Sequence, residues 1–165
     1  MLTKNINFIN FKLKQKNHII KKDLKLLIKE KSIILKSLST SYKYTYVKTK
    51  IKKFKKYPYI RIIGMGGSIL GTESIYDFLK HKIKKKIDFI NNLEPKIINN
   101  NKKKINLIVS KSGNTLETIS NVNILLKNTD TNIFITENKN SYLLSLAQKL
   151  KAEIIHHNDF IGGRY

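Results

Sequence analysis

The sequence predicts an α/β domain, a three-layer αβα sandwich around a five-stranded parallel sheet, preceded by a lysine-rich helical extension. Three features of its 165 residues carry that expectation. From residue 57 onward, short β-branched runs alternate with helix-length segments, the order of a parallel sheet covered on both faces. Two of those runs end in loops rich in glycine or hydroxyl residues, as ligand-binding parallel strands do at their carboxyl ends. The charge also changes along the chain. Residues 1–56 hold 17 lysines against Asp23 and Glu30, a net +15, and residues 57–165 hold 16 basic and nine acidic residues, a net +7. The break divides an extension, 1–56, from a compact domain, 57–165.

Taken in order, apolar residues at Ile20, Leu24, Leu27, Ile28, Ile34, Leu35 and Leu38 trace one helical stripe between Lys14 and Leu38, with lysines on the other face. Residues 39–56 carry two patterns, an alternation at Tyr42, Tyr44 and Tyr46 and a helical spacing at Val47, Ile51 and Phe54. The second favours a helix ending before Pro58. Ile60, Ile62 and Ile63 then form a buried strand that stops at glycines, and a helix follows from Gly71 to His81. Ile87, Phe89 and Ile90 give a second strand closed by Asn92 and Pro95. Asn99–Lys104 reads as a low-complexity loop, Ile105–Val109 as the third strand and Thr115–Lys127 as a helix. Ile133–Thr136, Ser141–Lys149 and Ile154–Ile155 complete the series as strand, helix and strand.

Composition removes several classes of function. The chain has no cysteine, which excludes disulfides, thiolate metal sites and cysteine nucleophiles. No apolar run reaches the ~18 residues of a membrane helix, and the first 16 residues lack the apolar stretch of a secretory signal. The expectation is a soluble, cytoplasmic protein with no membrane partner. The net charge of +22 invites a nucleic-acid reading, but 31 of the 33 basic residues are lysine. Arginine is the side chain suited to forked recognition of phosphate and guanine. Lysine drift onto solvated faces accounts for the charge better than a nucleic-acid partner does.

The chemistry gathers at two strand-to-helix junctions. The first is Gly64-Met65-Gly66-Gly67-Ser68-Ile69-Leu70-Gly71, where glycines let the backbone approach a ligand and a helix opens toward an anion. Ile69 stands where a dinucleotide fingerprint needs glycine, and no Gly-Lys-Ser/Thr triplet occurs. Taken alone, these glycines could simply pack a helix on a strand. The second junction is Ser110-Lys111-Ser112-Gly113-Asn114-Thr115-Leu116-Glu117-Thr118. Ser110, Ser112 and Thr115 offer hydroxyls around a helix start, which suits a phosphate group. Asn114 or Thr115 would in any case cap the helix, with Glu117 in its first turn, but a cap does not call for hydroxyls at both Ser110 and Ser112. His156 and His157 adjoin Asn158 and Asp159, yet adjacent side chains at a strand end point opposite ways, so joint metal ligation is not expected.

The segments IGMGGSILG, SKSGNTLET and HHNDFIGGRY, in this order and separation, resemble the glucose-6-phosphate isomerase family over about residues 58–165. The resemblance implies a sugar-isomerase (SIS) domain over 57–165 that binds a sugar phosphate. By it, Ser110, Lys111, Ser112 and Thr115 correspond to the phosphate-binding loop, Gly67 and Ser68 to the glycine loop that contacts the sugar phosphate, and Arg164 to the active-site arginine. The implied reaction interconverts glucose 6-phosphate and fructose 6-phosphate in glycolysis and gluconeogenesis. The ring opens, and a proton then moves between C2 and C1 through an enediol, with no metal or organic cofactor. The arginine would stabilise the charged intermediate.

In that family a second SIS domain follows and carries the catalytic base, a glutamate, together with a histidine and a lysine that assist ring opening. The enzymes are homodimers. The resemblance therefore implies the N-terminal part of an isomerase, expected to be inactive alone. The alternative is a non-catalytic SIS protein that binds a sugar phosphate without converting it. His156 and His157 are then loop residues near the site.

Overall fold

The structure, a computed structural model, describes residues 17–30, 32–93 and 103–162. The chain divides after Tyr42 into two compact units.

Among the described residues of the first unit are two helices, α1 (His18–Lys29) and α2 (Ile33–Ser37). Asn17 caps α1, its side chain accepting from the N–H groups of Ile19 and Ile20 at 3.0 and 3.2 Å. The single helix expected between Lys14 and Leu38 is divided in the structure. Glu30 turns to extended backbone after α1, and the Ser32 hydroxyl starts a new helix by accepting from Leu35 N–H at 3.2 Å. A serine hydroxyl that competes for backbone donors marks a boundary which apolar spacing does not reveal. Residues 14–16 lie outside the described residues.

The second unit opens with α3 (Lys48–Lys52) and a 3-10 turn (Lys53–Lys56) ahead of Pro58. The expected helix thus covers only the end of residues 39–56. Phe54 and Tyr57 bring this segment onto the sheet beside Ile105 and Ile133, and Lys53 pairs with Glu153 at 2.8 Å. The sheet follows as expected, with β1 (Tyr59–Gly64), β2 (Lys86–Ile90), β3 (Lys104–Val109), β4 (Thr131–Thr136) and β5 (Glu153–His156). All pairings are parallel and the spatial order is β2-β1-β3-β4-β5. Among the described residues the strands are connected by α4 (Gly67–Leu79), α5 (Leu116–Leu125) and α6 (Tyr142–Lys149).

Alternation along the strands sends side chains to two faces. Ile63, Ile108 and Phe134 meet Val122 and Leu125 of α5 and Leu143 and Ala147 of α6 in one fully buried cluster. Ile60, Ile105, Leu107, Ile133 and Ile155 point the other way, toward Phe54 and Tyr57. On that face the ring of Phe89 lies 5.6 Å from Tyr76 of α4. Burying such side chains is worth roughly 1.5–3 kcal/mol each, so these clusters hold the strand ends in place.

A polar row crosses the face that carries α5 and α6. The register sets Asp88, Arg61, Asn106 and Asn132 side by side on four strands. Asn106 Nδ2 donates to Asn132 Oδ1 at 2.9 Å and to Asp130 Oδ2 at 3.1 Å. Burial lowers the Arg61 guanidinium below its ordinary value, and nearby Asp130 opposes that shift. Lys104, expected at the end of a low-complexity loop, instead opens β3 and is buried at 5% exposure. Its ammonium is lowered by burial first and by Arg61 second.

Candidate functional site

The strand order makes β1 the turning point of the sheet. The chain leaves β1 through α4 to β2 on one side and later enters β3 on the other. Open α/β sheets bind ligands outside the carboxyl ends of the two strands at such a point. The two junctions singled out in the sequence are the ones that follow β1 and β3. They start against each other, since Gly64 pairs in register with Val109 and a Cβ on Gly64 would lie 3.0 Å from Val109 O. Only glycine fits that approach without displacing backbone.

The first junction is short. Gly66, with φ 55°, turns the chain, and α4 begins at Gly67 rather than at Gly71 as expected. The physical reason is Ile69, which is fully buried and anchors the first turn in the core. Ile69 and Leu70 N–H both donate to Gly66 O at 3.0 Å. Gly67 and Ser68 therefore sit in the first turn of a 13-residue helix, half-buried. The positive end of the helix dipole lies here.

The second junction is held by side chains. Ser110 is buried at 2% exposure and its hydroxyl accepts from Gly113 N–H at 3.2 Å and lies 3.1 Å from Thr115 Oγ1. Ser112, on the exposed outside of the turn, accepts from Asn114 N–H at 3.3 Å. Thr115 occupies the N-cap of α5, but its hydroxyl makes no capping bond and faces Ser110 instead. The expected capping role of Asn114 also goes elsewhere, because its Oδ1 accepts from Tyr142 N–H at the start of α6 at 2.9 Å. Gly113, with φ 67°, passes so close to α6 that a Cβ would fall onto Ser141 Oγ and lie 2.9 Å from Thr136 Oγ1.

Lys111, half-buried, donates to Asp159 O at 2.9 Å and lies 3.3 Å from Glu137 Oε1. Glu137 is one of two residues here that the sequence did not single out. It follows β4 directly, a third strand end at the site, in the segment Thr136-Glu137-Asn138-Lys139. Burial alone would raise its carboxyl, but hydrogen bonds from Lys139 and Lys111 and their charges outweigh it and hold the group below the ordinary carboxylate range. Thr136, also missed, donates through Oγ1 to Lys111 O at 3.2 Å.

Ser110, Lys111, Ser112 and Thr115 thus share one turn after β3, and Gly67 and Ser68 open the helix after the neighbouring β1. Arg164 lies outside the described residues. His157 is tied by its N–H to Thr136 O at 2.8 Å and by Nδ1 to Asn158 O at 2.8 Å, while the side chain of His156 is exposed. Among the described residues no group of three or more histidine and carboxylate side chains is arranged to hold a metal ion. No helix among them is long and apolar enough to cross a membrane.

The phosphoglucose isomerase family model matches residues 12–165. The chain is 35% identical over 131 residues to glucose-6-phosphate isomerase of Borreliella afzelii (strain PKo), covering 67% of this chain and 24% of that protein. It is 40% identical over 84 residues to glucose-6-phosphate isomerase of Methanocaldococcus jannaschii, covering 47% and 21%. The chain thus spans about a quarter of the length of the curated relatives it matches. Its fold is similar to the crystal structure of a hypothetical protein, TT0462, from Thermus thermophilus, with a TM-score of 0.60, 19% identity, and coverage of 70% of this chain and 32% of that one.

Proposed function

The chain belongs to the phosphoglucose isomerase family, and from that membership we propose that it forms the sugar-phosphate-binding portion of an aldose–ketose isomerase acting on glucose 6-phosphate and fructose 6-phosphate. The observation that supports the reading is that a glycine loop and a hydroxyl loop leave the carboxyl ends of the neighbouring strands β1 and β3. In this reading residues 57–165 are the SIS domain and residues 1–56 its extension. Soluble, cytoplasmic residence fits a metabolic enzyme of this kind.

The roles follow from chemistry. A phosphate group asks for several donors converging on one point. Ser112 and Thr115 supply hydroxyls, Gly67 and Ser68 the first turn of α4, and Ser110 holds the hydroxyl loop in shape from beneath. Anchoring the phosphate fixes the sugar relative to the groups that act on C1 and C2, which converts binding energy into orientation. Arg164 is proposed to stabilise the negative charge of the enediolate. Carbon deprotonation is assigned to a base carried elsewhere in the full-length family enzyme, which is proposed to work as a homodimer. For this chain alone we expect binding without appreciable turnover, since a general base contributes on the order of 10²–10⁴-fold.

The test is calorimetry with glucose 6-phosphate. Replacing Ser112 and Thr115 together by alanine removes two hydrogen bonds to an anion, each worth roughly 1.5–3 kcal/mol. The expected affinity loss is about 10²-fold or more, with the fold retained by circular dichroism. Unchanged affinity in a folded double variant would remove the phosphate assignment from this loop.

A further inference from the structure

The lysine of the hydroxyl loop is committed within the protein. Its ammonium donates to Asp159 O at 2.9 Å and lies 3.3 Å from Glu137 Oε1, while Lys139 Nζ lies 3.2 Å from the other oxygen of that carboxylate. The Glu137 side chain is 11% exposed and that of Lys111 26%, so this pair is sheltered, whereas Lys139 is 64% exposed. The backbone repeats the connection: Glu137 N–H and Thr136 Oγ1 both donate to Lys111 O, at 3.0 and 3.2 Å. Both ends of Lys111 are thus held at the end of β4. The remaining partner of the ammonium belongs to the segment after β5, which leads in sequence to Gly163 and Arg164. That segment is itself a turn, closed by Ile161 N–H donating to Asn158 O at 3.2 Å.

We propose that Glu137 is a positioning residue: it holds the Lys111 ammonium on the Asp159 carbonyl and so latches residues 157–162 to the hydroxyl loop. Lys111 then serves as a tie between two parts of the site rather than as a ligand of the phosphate group. The inference rests on the sugar-phosphate reading above and adds to it a division of labour within the loop. Two properties of lysine require the carboxylate. Its four-carbon stem is flexible, so one hydrogen bond to a carbonyl does not fix it. Its charge would also be drawn to an incoming phosphate dianion unless a sheltered counter-charge competes, and a partly buried carboxylate competes more strongly than an exposed one. With Lys111 committed, the phosphate is left to hydroxyls and amides, and the Asp159 turn is held at a fixed place beside them.

The test uses the full 165-residue chain, ¹⁵N-labelled. A hydrogen-bonded ammonium exchanges its protons slowly enough to give a resolved ¹⁵N–¹H signal, and Lys111→Met assigns it. The wild type is expected to show that signal. Glu137→Gln is expected to lose it and to raise hydrogen exchange at Ile161 tenfold or more, with β3 and β4 amides still protected. Glu137→Asp should recover part of both, and Lys111→Met should loosen Ile161 in the same way. In calorimetry with glucose 6-phosphate, Lys111→Met should lose far less affinity than the Ser112→Ala/Thr115→Ala variant. A Lys111 signal and an Ile161 exchange rate untouched by Glu137→Gln would overturn the latch. So would a Lys111→Met variant as weak in binding as the double hydroxyl variant. Unchanged affinity in the hydroxyl variant would instead overturn the sugar-phosphate reading, while the ammonium signal still decides the latch.

Discussion

The junctions after β1 and β3 leave neighbouring strand ends, but they are built in different ways. The first is a backbone device: Gly66 turns the chain at positive φ, and the buried Ile69 pins a helix that starts at once. The second is a side-chain device. Hydroxyls of Ser110 and Thr115 brace the turn, and Thr136, Glu137 and Ser141 crowd it from the end of β4 and the start of α6. A loop of the first kind depends on the conformations its residues can adopt, and one of the second kind on the space and charge its neighbours leave.

The largest expected effect is at Gly113. Alanine there meets both a positive φ and the Ser141 side chain, so the strain of the left-handed conformation adds to overpacking. Together they should cost about 2–4 kcal/mol, read as a lower midpoint in urea unfolding. A loss below about 1 kcal/mol would show that α6 yields easily and that the second junction is less crowded than described.

Gly66→Ala separates the two designs. Its Cβ would meet nothing within 4 Å, so only the backbone conformation, φ 55° with ψ −128°, opposes it, at a cost of roughly 1–3 kcal/mol. The ratio of the two losses measures the comparison. Equal losses would mean that conformation alone governs both turns.

The smallest effect is the pH dependence of Glu137. Its carboxyl is lowered in the folded protein, by hydrogen bonds and charges from Lys139 and Lys111 that outweigh burial. A lowered folded value means that its stabilising contribution is fully present above the ordinary carboxylate range and is lost as pH falls through the lowered value. Acid titration followed by NMR should perturb Lys111 and Ile161 in that window in the wild type, and Glu137→Gln should remove the transition while Gly67 and Ser68 stay unaffected. An identical acid limb in the variant would contradict the assignment.

Much of the fold was legible because the strands are short β-branched runs and their register follows from parallel packing. Ile60–Ile63, Ile105–Val109 and Ile133–Thr136 lie within β1, β3 and β4. Both loops were legible as well, since glycine and hydroxyl clusters after strands have a local chemical meaning. What escaped depended on distant neighbours. The start of α4 was hidden because Gly67 and Gly71 look like helix breakers, and only the burial of Ile69 overrides them. Lys104 reads as the end of a low-complexity loop, yet parallel pairing beside Tyr59 draws it into the sheet. Glu137 lies 26 residues from Lys111 in sequence, and nothing local announces that β4 returns beside β3 with a carboxylate at its end. Asn114 read as a cap for the helix next to it but caps the start of α6 instead.

The junctions after β1 and β3 are proposed to form one anion site. The direct measurement is an NMR titration of the ¹⁵N-labelled chain with glucose 6-phosphate. Saturable amide shifts are expected at Gly67, Ser68 and Ile69 together with Ser112, Asn114 and Thr115, all fitting one dissociation constant. Shifts confined to one junction, or spread over the exposed lysine-rich surface without saturation, would contradict it.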